Sequence, residues 1–198
     1  MIGNDVIDIR TTRQESNWKR KGFLQKLFTE KEYQFILEGD DPEFLFWLIW
    51  SAKESAYKII HRNHQKMFFF PKKFEFLEDH FTNQNGITGR IKFGESCFDF
   101  KSKIERDCIH TTAIPSGHSI KYVSEIFPIV PTNYQTQRAG VRTSLINWFS
   151  ENMDSTQPIE VRKDELGIPN VYESGVKSAC FLSLAHHGGY GGFAITFE

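Results

Sequence analysis

The sequence predicts an α+β fold built as two similar lobes, a pseudo-dimer of antiparallel strands packed on helices. Three observations predict it. Residues 42–62 carry a capped helical pattern, residues 67–126 alternate apolar with polar side chains between turn signals, and a helical stripe at 134–152 precedes a Gly-rich pair of strands. A chain of 198 residues can fill one ordinary domain or two small lobes that share a core.

The opening MIGNDVIDIR begins apolar and alternates around Asp5 and Asp8, as a short half-buried strand does. Asp5 and Ile7 then share one face, Val6 and Asp8 the other. Residues 15–38 are charged and helical in pattern, with FTEKEYQFI carrying Phe28, Phe35 and Ile36 at helical offsets. In the next helix Asp41 suits the N-cap, Pro42 the first turn and Glu43 the positive end of the dipole. MFFFPKKFEFLE, GITGRIKFGE, CFDFKSKIE and IKYVSEIF read as strands of an antiparallel sheet, separated by Asn-Gly, Gly-Glu and Pro-Ser-Gly turns. PIVPTNYQ reads as a connector. Val141, Leu145, Trp148 and Phe149 make the stripe of the second long helix, and VKSACFLSLAHHGGYGGFAITFE reads as two strands joined by a Gly-rich turn. IHTTAIPSGHSIKYVSEIF and FLSLAHHGGYGGFAITF echo one another faintly, each pairing a His-containing strand with a turn and a second strand. The expected lobes are 1–128 and 129–198.

Composition excludes several classes. Apolar residues are 39% and charged residues 25%, which is not the balance of a disordered chain. Lys plus Arg number 24 against 25 Asp plus Glu, so the basic excess of a dedicated nucleic-acid binder is missing. Asp5, Asp8 and Arg10 interrupt any secretory signal, and the apolar run at 44–50 is far short of the roughly 20 residues of a membrane span. Cys97, Cys108 and Cys180 match no CxxC spacing. The 19 phenylalanines are scattered and read as core, and the expectation is a soluble cytoplasmic protein.

Trp50, Glu54 and Lys58 recur at four-residue steps and line one helix face. They could be a solvent-exposed Glu–Lys pair. They could also be a covered carboxylate beside Trp50, which then needs a partner or a metal. Asp5 could face solvent at a strand end. If it meets Glu54, two hard oxygen ligands converge in a manner that suits Mg²⁺. His186 and His187 are adjacent on a strand and cannot turn both rings to one face, which disfavours a two-His metal site. Each could be an ordinary strand-end histidine, or one could reach a phosphate. Glycines 188, 189, 191 and 192 fit no P-loop or dinucleotide fingerprint.

Taken together, GNDVIDI, FTEKEY, WSAKESAYK and SLAHH resemble the 4′-phosphopantetheinyl transferase superfamily, whose signatures G-x-D and W-x-x-K-E-[SA]-x-x-K stand here in the family's order. The resemblance implies that Asp5 and Glu54 hold Mg²⁺ against the pyrophosphate of coenzyme A. It implies a phosphate contact and proton-moving role for Lys58, and the serine proton would then pass to Glu54 or to a metal-bound water, with Glu54 the expected base. Lys53, Arg138 and His186 would contact coenzyme A, Arg138 at its 3′-phosphate. Several positions depart from the family. Ile7 stands where the larger members carry a second carboxylate, Ala185 and His187 replace the serines that flank the motif histidine, and Gly167-Ile168-Pro169 loses the lysine of G-K-P. Lys163 is close enough in sequence to substitute for it. The G-x-D lobe precedes the SLAHH lobe, the reverse of the larger members, so the chain resembles a circular permutation of them or the short type with a lobe appended.

The activity implied is holo-[acyl-carrier-protein] synthase chemistry, Mg²⁺-dependent transfer of phosphopantetheine from coenzyme A to a carrier-protein serine with release of adenosine 3′,5′-bisphosphate. The implied partners are coenzyme A and an acidic acyl or peptidyl carrier protein of fatty-acid, polyketide or peptide synthesis, with no nucleic acid or membrane, and the chain would act as a monomer. Lys19-Arg20-Lys21 with Lys26 is either the docking surface or a solvated helix face. Two other readings compete. One is a non-catalytic coenzyme A or carrier-binding module of the same fold, and the other a metal hydrolase using His186, His187 and a distant carboxylate.

Overall fold

A computed structural model describes residues 1–64, 69–82, 86–130, 134–152 and 158–197. The predicted α+β class holds, with antiparallel sheets throughout. β1 (Gly3–Asp8) is followed directly by α1 (Ile9–Glu15), so the expected ten-residue strand stops two residues early. Asp8 stops it: its carboxylate accepts from the backbone N–H groups of Arg10 and Thr11 and caps α1. The helical pattern of 15–38 resolves into α2 (Phe23–Leu27) and α3 (Glu30–Glu38), separated from α1 by a turn that ends at Gly22 in the left-handed region, φ 78°. α3 opens on a capping box, Thr29 bonding the Glu32 N–H while the Glu32 side chain accepts from the Thr29 N–H.

α4 (Pro42–His64) runs as the sequence predicts, with Asp41 accepting from the Phe44 N–H at 3.0 Å. After a 3-10 turn at Pro71–Lys73 come β2 (Glu75–Thr82), β3 (Ile87–Phe93), β4 (Ser96–Glu105) and β5 (Cys108–Pro115). These join β1 in a five-stranded sheet of order β1-β5-β4-β3-β2. β6 (Tyr122–Pro128) leaves that sheet. It pairs with β11 (Tyr190–Thr196), which forms a hairpin with β10 (Leu182–His187). The echo between the two His-containing segments therefore does not extend to their pairing, because β5 and β6 lie in different sheets while β10 and β11 are neighbours. The same pairing puts 122–128, expected with the first lobe, in the C-terminal sheet. α5 (Tyr134–Asn152) places Leu145 and Phe149 against Leu182, Phe193 and Ile195. The pattern reading also passed over a small sheet of β7 (Ile159–Lys163), β8 (Pro169–Glu173) and β9 (Val176–Lys177).

The larger core lies between α4 and the five-stranded sheet, and aromatic rings fill much of it. Phe46 alone meets Trp18, Phe28 and Trp47 at centroid distances of 5.4, 5.2 and 4.7 Å. β1 is the element that both halves of the chain use. One face carries Gly3 and Ile7 toward the α4 core, and the other carries Val6 against Cys108 and Ala185. Its open edge is covered by side chains of β10 in place of a strand: Ser183 Oγ accepts the Asn4 N–H at 2.9 Å and His187 Nδ1 accepts the Asp8 N–H at 3.0 Å. Among the described residues no helix is long and apolar enough to cross a membrane.

Candidate active site

Gly3 sets the separation of β1 and α4. A Cβ at this position would overlap the Ser55 carbonyl oxygen, so only glycine allows the strand to lie so close to the helix. Ser55 holds the other side, its hydroxyl donating to the Thr111 carbonyl of β5 at 3.1 Å. Two residues along the same face of β1 from Gly3 comes Asp5, and one residue before Ser55 comes Glu54. The close approach brings these two carboxylates together.

Lys58, one turn beyond Glu54, donates to the Asn4 carbonyl at 2.6 Å and lies 3.5 Å from Asp5 Oδ1. Asp5 Oδ2 is buried with no hydrogen-bond partner. Burial, then the neighbouring Asp5 charge, push the Glu54 carboxyl up to about 7 against the opposing pull of Lys58. Two carboxylates thus share one ammonium and one oxygen has no donor. Hard, oxygen-only ligands with an unmet negative charge fit a divalent cation such as Mg²⁺, which takes one or two carboxylates and fills its shell with water and phosphate. Asp5 and Glu54 are the residues that would hold it.

A cationic cluster adjoins this pair. Lys163 is held below its ordinary value by burial and by the charges of Arg138, Arg142 and Lys58. His186 is lowered by burial and by Lys58, Lys163 and Arg138. Three of the residues the sequence singled out, Lys58, Arg138 and His186, therefore interact from three separate elements. His186 Nδ1 is 2.9 Å from Gln137 Oε1, and Gln137 Nε2 donates to the Gly188 carbonyl. Since the amide oxygen can only accept, the ring carries its proton on Nδ1. A cavity of about 280 Å³ is lined by Tyr57, Lys58, His61, Lys163, Gly167 and Ile168, among others. Lys163 stands directly across the β7–β8 ladder from Pro169, and so next to Ile168. Arg62 fixes this wall to α4 by donating to the Pro169 and Leu182 carbonyls at 3.0 and 2.7 Å.

Lys53 is not part of the site. It is wholly buried, with Nζ 2.7 Å from Glu32 Oε2 and within 3.3 and 3.2 Å of the Leu27 and Pro71 carbonyls. Glu32 in turn accepts from the Phe76 and Thr29 N–H groups. These contacts consume the ammonium, which corrects the expectation that Lys53 meets the coenzyme. Sequence reasoning also missed residues that hold the site in place. Asn4 sits between Asp5 and the β10 strand, fully buried, and its amide donates to His110 Nε2 at 3.1 Å. Asp8 receives Gly189 N–H and the Thr11 hydroxyl on Oδ2. Burial opposes its charge, but these donors and the N–H groups of Thr11 and Arg10 hold its carboxyl below the usual range. Gly188, φ 55°, has no room for a side chain against Asp8 and Thr11. His186 and His187 face different partners, Gln137 and Asp8, and among the described residues no three His, Cys, Asp or Glu converge as a metal site.

The family model of the 4′-phosphopantetheinyl transferase superfamily matches residues 1–116. The match spans more than half of the chain and contains Asp5, Glu54 and Lys58, while Arg138, Lys163 and His186 lie beyond it. No curated protein matches the chain.

Proposed function

Since the chain belongs to the 4′-phosphopantetheinyl transferase superfamily, we propose that it moves phosphopantetheine from coenzyme A to the serine of an acyl or peptidyl carrier protein, releasing adenosine 3′,5′-bisphosphate. The observation that carries this reading is the meeting of Asp5, Glu54 and Lys58 beside the cluster of Lys163, Arg138 and His186. An acidic pair next to a cationic pocket suits a substrate whose pyrophosphate shares a metal while its other phosphate needs positive charge.

When bound, Mg²⁺ would supply Lewis-acid neutralisation of the pyrophosphate and a template for it. Asp5 and Glu54 are its ligands in this reading. Lys58, fixed by the Asn4 carbonyl, places its ammonium where charge grows on the phosphate oxygens. Glu54 accepts the serine proton at a carboxylate oxygen as the new ester bond forms. Arg138 and Lys163 hold the 3′-phosphate, and Lys163 takes over from the lysine that Ile168 displaces. His186, beside Lys163 and Arg138, contacts the coenzyme. The basic run at 19–21 with Lys26 meets an acidic carrier. The two lobes form a pseudo-dimer with the site between them, so one chain suffices as a monomer in the cytoplasm. Packing of β1 against both α4 and β10 within one chain supports a site that a single chain can complete.

The test is intact mass of an apo carrier protein after incubation with this protein, coenzyme A and MgCl₂. A gain of one phosphopantetheine, lost with Glu54→Ala or excess EDTA, is the expected result. No gain on fatty-acid, polyketide and peptide carriers with coenzyme A still bound would favour the binding module of the same fold, the reading that Ile7, Ile168 and Ala185 encourage.

A further inference from the structure

The buried Lys53–Glu32 pair does nothing at the carboxylate site, yet it joins two surface segments. One ammonium bonds the Leu27 carbonyl at the end of α2 and the Pro71 carbonyl in the 3-10 turn. The residues next in sequence, Lys26 and Lys72, are exposed, as are Lys73, Lys19, Arg20 and Lys21. Arg20 lies 4.1 Å over the Phe23 ring at the start of α2, which draws the 19–21 run toward the same side. Phe70 is 52% exposed, with the Lys73 ammonium 5.3 Å above its ring. Glu75 and Lys72 both act on the buried Lys53, and residues 70–73 carry two exposed lysines and no acid.

This ridge adjoins the site. Phe69 packs on Trp50 and Tyr57 at centroid distances of 5.5 and 4.8 Å. Those two rings flank Glu54 on α4, four residues before and three after it. A protein seated on Phe70 and the lysines would therefore have its own surface at the mouth of the carboxylate pair.

We propose that Phe70, Lys72, Lys73 and Lys26, held together from below by Lys53 and Glu32, form the docking face for an acidic carrier protein, with Phe70 as the apolar anchor. The inference rests on the transferase reading and adds the surface that selects the protein partner. Exposed phenylalanine is a poor choice for solvent, whereas an aromatic anchor ringed by cations fits a helix that carries acids around an apolar residue.

The experiment compares the native protein with Lys72→Glu/Lys73→Glu and with Phe70→Ser, on an acidic apo acyl carrier protein. In both variants the KM for the carrier should rise on the order of tenfold, with kcat at saturating carrier, coenzyme A affinity by calorimetry and the thermal midpoint unchanged. The double lysine variant should also lose most of the salt dependence of kcat/KM, and a carrier whose acids are changed to lysine should recover part of its lost rate. An unchanged KM and salt slope would overturn the docking face while leaving the transferase reading in place. Coenzyme A binding without transfer to any carrier by the native protein would instead overturn both.

Discussion

Gly3 and the Ser55 carbonyl are in such close contact that β1 and α4 have no room between them for even a methyl group. Asp5 on the strand and Glu54 on the helix face each other because of it. Gly3→Ala should cost about 1–3 kcal/mol through overpacking and push the two carboxylates apart. Urea denaturation and transfer assays would show lower stability and a larger loss of kcat than of coenzyme A affinity. Native behaviour of the variant would mean that the strand can yield without disturbing the pair.

The Lys53–Glu32 pair is a buried ion pair in which each partner satisfies the other. Burial lowers the Lys53 ammonium despite the Glu32 charge beside it. Lys53→Met should destabilise by about 3–5 kcal/mol, since Glu32 keeps its Thr29 and Phe76 N–H donors but is left buried and charged without a counter-ion. Lys53→Met/Glu32→Gln should lose clearly less than the two single changes summed, as a double-mutant cycle of denaturation midpoints would measure.

His110 is 1% exposed, and burial, then Lys103 and Lys58, push its imidazole down to about 3. Unfolded, it titrates near 6.5. Between those values the unfolded chain binds a proton that the folded chain refuses, so this stability is present above about 6.5 and is lost as pH falls toward about 3. The slope should reach at most about 1.4 kcal/mol per pH unit. Urea titrations at several pH values would show the advantage of the native protein over His110→Gln shrinking on acidification. His186, also lowered, is common to both proteins and cancels.

His187 accepts the Asp8 N–H through Nδ1. His187→Ala leaves that buried donor unpaired, at a cost of about 1–3 kcal/mol. His187→Asn presents an amide oxygen near the position of Nδ1 and should recover much of the loss. Equal thermal midpoints for the two variants would show that the ring acts through packing alone.

The sequence made some parts of this arrangement readable and hid others for definite reasons. α4 was legible because Asp41, Pro42 and Glu43 announce its start and a long apolar pattern follows. The β10–β11 hairpin was legible because glycines punctuate it. β7, β8 and β9 were not, since 159–163, 169–173 and 176–177 are only five, five and two residues long, with no long alternation to read. Lys53 was misplaced because motif spacing fixes position along a helix but not what each side meets. Neighbours on a helix of 3.6 residues per turn point about 100° apart, so Lys53 enters the core while Glu54 faces Asp5. The support from Ser183, His187 and Asp8 has no sequence signature, because it joins side chains to the backbone of a strand far away in the chain.

That distance has a consequence for biosynthesis. Asn4 and Asp8 wait for partners 179 residues downstream. At ordinary translation speeds the nascent chain carries β1 with an uncovered edge for on the order of ten seconds or more. During that interval the N-terminal sheet offers unpaired N–H groups to any other extended chain, the situation that invites aggregation. Holdase chaperones that cover the exposed edge during that interval should therefore raise the soluble yield of this protein more than changes to its finished surface would.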